Sequence, residues 1–101
     1  MPLERHSFRV HSAQPPTVEW DSEADAVYVR FSRRAVARTV DQHAEKMHVA
    51  VDMDAQGELV GIEAVGTTRF TLRGILDAAR VEAPNVDLAN ARFTLASAVP
   101  A

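Results

Sequence analysis

The chain has 101 residues, the size of one domain and too few for a two-domain enzyme. Hydrophobic residues make up 47%, which excludes wholesale disorder, yet the sequence holds 17 Ala against one Trp, one Tyr and four Phe, so large core side chains are scarce. Eleven basic against 14 acidic residues give a net charge of −3, an argument against generic phosphate-backbone binding, and the lack of Cys excludes disulfides, thiolate zinc sites and Cys nucleophiles.

Residues 1–16 read as an N-terminal extension in which Phe8 and Val10 alternate with polar neighbours until Gln14-Pro15-Pro16 interrupts regular structure. Thr17 to Trp20 is a short predicted strand, and Asp21-Ser22-Glu23 supplies turn chemistry before the next. Asp25 to Ser32 alternates cleanly, with Val27, Val29 and Phe31 on one face and Ala26, Tyr28 and Arg30 on the other. Val36 to Gln42 predicts a third strand. Met47 to Asp52 and Leu59 to Val65 predict a hairpin through Asp54-Ala55-Gln56-Gly57, where Asp suits the start of a type I turn and Gly its left-handed end. Keeping the apolar residues on one face favours a register with Val51 opposite Val60, Val49 opposite Ile62, and His48 opposite Glu63. In that register the Glu63 carboxylate raises the His48 pKa.

After Gly66 the period becomes helical, with Leu72, Ile75, Leu76 and Ala79 on one face. Thr71 is the expected N-cap, and Pro84 stops the helix near Glu82. Residues 84–101 form a C-terminal extension with a further strand at Ala91 to Ala96. The expected fold is therefore α+β: an antiparallel meander of four or five strands with one helix on its apolar face, its core domain spanning residues 17–83. The expected core comprises Val27, Val29, Phe31, Val49, Val51, Val60, Ile62, Leu72, Ile75 and Leu76.

Chemistry-bearing motifs are sparse. Asp52, Asp54, Gln56, Gly57 and Glu63 nearly fit an EF-hand calcium loop, but that loop joins two helices, whereas strands flank this one. The turn reading wins, and no metal or cofactor is expected. His43 and His48 are five apart, so a continuous strand points them to opposite faces, and no zinc-hydrolase pair occurs. Arg30, Arg33, Arg34 and Arg38 read as a solvated hairpin end. No Gly-rich phosphate loop or nucleophile elbow is present, so no catalytic residue is assigned and no enzyme is expected.

Three blocks resemble a known family. Trp20-Asp21-Ser22-Glu23-Ala24-Asp25-Ala26-Val27-Tyr28-Val29 is similar to the aromatic-acidic opening of the small prokaryotic domain-of-unknown-function family 2283. Val36 to Val40 resembles its middle strand, and Val51 to Glu63 its closing hairpin, so the resemblance covers residues 17–66. It implies a compact β-meander that associates with another chain and has no established catalytic residues. Relatives encoded beside small toxin-like proteins imply an antitoxin-like role.

Within the opening, Asp21 and Asp25 are expected to hold turn backbone, as are Asp54 and Gly57 in the hairpin, while Trp20 is expected in the core or packed at an edge. Tyr28, Arg30, His48, Asp52 and Glu63 are expected to share the second sheet face, with Ala50 and Gly61 as a shallow floor for a partner's backbone. The leading expectation is a cytoplasmic, non-enzymatic interaction domain. Its partner is a second copy, giving a homo-oligomer, or another small protein, with neither nucleic acid nor membrane. The alternative is a metal or small-ligand module around His48, Asp52, Asp54 and Glu63.

Overall fold

The computed structural model describes residues 7–21, 23–42, 44, 47–66 and 71–95. The elements are β1 (Phe8–Arg9), β2 (Thr17–Asp21), β3 (Ala26–Arg30), β4 (Arg38–Asp41), β5 (His48–Met53), β6 (Leu59–Val65), α1 (Leu72–Ala79), β7 (Val81–Glu82) and β8 (Arg92–Leu95). One sheet has six strands in the order β4-β5-β6-β3-β2-β8, and β1 pairs with β7 in a small parallel sheet of its own. The architecture is α+β and mostly antiparallel, but larger than a four- or five-strand meander because β8 joins β2 in parallel.

The hairpin register differs from the expected one by two residues. Val51 faces Ile62, Val49 faces Ala64, Ala50 faces Glu63, and His48 faces Val65 rather than Glu63. A slip between Asp52 and Met53 brings Met53 opposite Leu59. From His48 to Asp52 the two-residue shift keeps each side chain on its own face, so face patterning set the parity there and left the register to the turn; beyond the slip, Leu59 rather than Val60 joins the core cluster. In the turn, Gly57 sits at φ +83° and donates its N–H to the Asp54 carbonyl at 3.1 Å. That bond closes the expected Asp54–Gly57 turn, and the Asp54 N–H, donating to the Glu58 carbonyl at 2.8 Å, adds Glu58 to the loop before Met53 pairs with Leu59.

Helix α1 starts where its chemistry says, with the Thr71 hydroxyl accepting the Gly74 N–H. It ends at Ala79, before the expected Glu82. Arg80 adopts the left-handed conformation, φ 58° and ψ 45°, and its N–H returns to the carbonyls of Leu76 and Asp77. That turn frees Val81–Glu82 to pair with β1, through Phe8 N–H to Arg80 O at 3.0 Å and Val10 N–H to Glu82 O at 2.8 Å. Similarly, the third strand is shorter than Val36–Gln42. Gln42 leaves β4 fully buried and donates from its side-chain amide to the Ala79 carbonyl at 2.6 Å, so the sheet holds the helix's last turn.

Ile75, Leu76 and Ala79 of α1 pack on the face carrying Val49, Val51, Ile62 and Ala64. Val10, Val81, Ala83 and Val86 join the same cluster, so both terminal segments thicken a core that the Ala-rich composition left thin. Phe31 and Leu72 are partly buried against it, while Val60 is fully buried outside it. Among the described residues, no helix is long and apolar enough to cross a membrane.

Candidate functional site

Alternation along the strands leaves the second face of the sheet open. Tyr28 and Arg30 on β3, His48, Ala50 and Asp52 on β5, and Gly61 and Glu63 on β6 all lie on it. Five polar side chains on this face form a line running across the sheet. Arg30 Nη2 donates to Glu19 Oε1 at 3.2 Å, and its guanidinium lies 4.9 Å from the centre of the Tyr28 ring. The Tyr28 hydroxyl donates to Asp52 Oδ2 at 2.8 Å, and Thr39 Oγ1 donates to the other Asp52 oxygen at 2.6 Å.

The chain Glu19–Arg30–Tyr28–Asp52–Thr39 thus spans β2, β3, β5 and β4, crossing β6 without taking a side chain from it. The crossing is possible because β6 carries Gly61 there: a Cβ at that position would collide with the Tyr28 ring and hydroxyl. Tyr28 therefore fills the place expected to be an open floor. Ala50 also does not face Gly61; it is paired with Glu63, and Gly61 with Asp52. Burial, reinforced by the hydrogen bond to Asp52 and its charge, pushes the Tyr28 phenol well above the ordinary tyrosine range.

His48 is exposed, with Nε2 4.0 Å from Asp41 Oδ2. Asp54 belongs to the turn: Oδ1 accepts the N–H groups of Gln56 and Glu58, both at 2.9 Å, and Oδ2 accepts from Arg34 at 3.1 Å. The Glu58 amide, with Arg34 and Gln56 assisting against the opposing effect of burial, holds the Asp54 carboxyl below the usual carboxylate range. His48, Asp52, Asp54 and Glu63 consequently have separate surroundings, and no trio able to hold a metal ion occurs among the described residues. His43 lies outside them.

At the other turn, Asp21 Oδ1 accepts the N–H groups of Glu23 and Ala24 at 3.1 and 3.2 Å. Asp25 takes φ +51° there, and its carbonyl accepts the Gly66 N–H at 2.9 Å. Of the basic cluster, Arg30 and Arg34 are tied to Glu19 and Asp54. Arg34 and Asp54, with Arg9, His11, Ser32 and Leu59, help line a shallow cleft of about 280 Å³.

Sequence reasoning missed two surfaces. Trp20 is neither in the core nor covered at an edge; it is 44% exposed. Phe93, paired in register with Val18 one strand over, is 61% exposed. Their neighbourhood follows from the parallel addition of β8, which no local pattern announces.

Residues 17–66 match the model of the family described as "Protein of unknown function (DUF2283)". The match runs from the start of β2 to just past β6, so β1, α1, β7 and β8 lie outside it. No curated protein and no solved structure matches the chain.

Proposed function

We propose that the chain is a small non-enzymatic interaction domain, which associates with a second copy of itself or with another small protein. The observation that carries this reading is the open edge of the sheet. Strand β4 ends the strand order, its Arg38, Thr39 and Asp41 are exposed, and Val36 just before it is 47% exposed. A strand in that position presents backbone hydrogen-bonding groups to a neighbouring chain. The polar line on the second face supports the non-enzymatic half of the reading, since Tyr28, Asp52, Thr39, Arg30 and Glu19 satisfy one another. An antitoxin-like role is the finer form of the same reading and rests on the family resemblance.

Light scattering and native mass spectrometry of the purified chain test it. The expected result is a mass above that of one chain, or a stoichiometric protein partner retained from the native host. A strict monomer that retains nothing overturns the proposal.

A further inference from the structure

Strand β8 differs from every other strand of the large sheet in how it is held. It pairs with β2 alone, in parallel, through Thr17↔Arg92, Val18↔Phe93, Glu19↔Thr94 and Trp20↔Leu95. Parallel pairing is slightly weaker per residue than antiparallel. Arg92, Phe93 and Thr94 are all exposed, so their side chains add little burial to the backbone ladder. The strand it leans on is anchored: Val18 and Pro16 are fully buried, and the Pro16 carbonyl accepts the Arg92 N–H at 3.0 Å. A firm edge therefore carries a lightly attached strand, and that strand follows a short 3-10 turn, Leu88–Asn90, ending in Ala91.

We propose that β8 is an exchangeable strand, and that two copies associate by each placing its β8 on the β2 edge of the other. This deepens the self-association half of the reading above and rests on it. The occupant is argued from the structure itself: the strand seated on β2 fits that edge in register, and the β8 of a second copy is chemically identical. Reciprocal exchange keeps the β2–β8 pairing and re-routes the chain around Ala91, which with Leu88 is partly buried against the core. Exchange of identical elements is a low-cost route to closed two-fold dimers. Opening β8 gives up four residue pairs, of which Arg92, Phe93 and Thr94 carry exposed side chains.

The absence of Cys makes a clean test possible. Thr17→Cys and Arg92→Cys are prepared as separate full-length variants, because these positions face each other across β2 and β8. The two are mixed at high concentration, incubated, diluted and oxidised. Exchange predicts a covalent heterodimer in the mixture at least tenfold above the covalent dimer of either variant alone, rising with the concentration of the incubation. The doubly substituted chain reads the same geometry within one copy, giving an intrachain bond when oxidised dilute and covalent dimer after concentrated incubation. An intrachain bond at every concentration, with no heterodimer above the single-variant level, overturns the exchange. If light scattering still shows a dimer in that case, exchange alone falls and the interaction reading stands. A monomer by both measurements removes exchange and the self-association half of the reading, and retention of a partner from the native host then decides the other half.

Discussion

The two faces of the large sheet are held by different physics. On the helix side, Val49, Val51, Ile62 and Ala64 meet Ile75, Leu76 and Ala79 out of reach of water, and the stabilisation scales with apolar area removed from solvent. On the other side a hydrogen-bonded line from Glu19 to Thr39 runs over the strands. The buried face resists change in volume and tolerates change in pH. The order of the other face depends on donors, acceptors and charge, and on the space over Gly61 that the Tyr28 ring fills. The consequence is a domain whose stability resides on one side and whose surface pattern resides on the other.

Substitutions should separate the two faces by size of effect. Ile62→Ala, at the centre of the closed face, is expected to cost about 2–5 kcal/mol in denaturant unfolding. A loss below about 1 kcal/mol would mean that the helix does not seal that face. Gly61→Ala, its neighbour on the open face, forces Tyr28 off the sheet, with an expected cost of about 1–3 kcal/mol. In a Tyr28→Ala background the same substitution should be nearly neutral, which a double-mutant cycle measures. Tyr28→Phe alone leaves the ring and removes the bond to Asp52, for an expected loss of about 0.5–1.5 kcal/mol.

Titration gives the next contrast. Tyr28 is the only tyrosine, so phenolate absorbance reports on it alone. Its folded-state pKa is raised, so its contribution is complete below the ordinary value of 10.0 and is lost as pH climbs beyond it. Phenolate should therefore appear together with unfolding; a phenol that ionises near 10.0 in the folded protein would contradict the contact with Asp52. Asp54 has the opposite sign. Its lowered pKa gives stability that is present above the ordinary carboxylate range and fades as pH falls through the folded value, so Asp54→Asn should flatten the acid limb of the stability curve. The smallest effect is expected from the exposed pair between Arg9 and Glu82, where Arg9→Ala should change stability by roughly 0.5 kcal/mol or less.

Much of the closed face can be read from the chain. Period-two alternation placed Val27, Val29, Val49 and Val51 inward, and a 3.6-residue period did the same for Ile75 and Leu76, because both patterns are local. The open face was legible only as a set of residues. Tyr28, Arg30 and Asp52 were assigned to one face, yet the contact between Tyr28 and Asp52 depends on Gly61 lying between them, and a register two residues away hides that. Alternation repeats every two residues, so it carries no information about a shift of that size. The same limit explains β8. A parallel partner more than 70 positions away is chosen by the path of the intervening helix and turns, not by anything in Arg92 to Leu95.

Gln42 shows how tightly those later segments are tied to the matched one. Its fully buried side chain lies within residues 17–66, while the carbonyl it donates to, that of Ala79, lies beyond them. A chain ending at Val65 or Gly66 would take that acceptor away inside an apolar setting and bare Val49, Val51 and Ile62 to water. In this protein the stretch shared with relatives and the stretch that folds as one body are therefore different lengths. Expressing residues 17–66 without the helix is expected to yield an insoluble fragment, which a solubility assay of the two lengths checks.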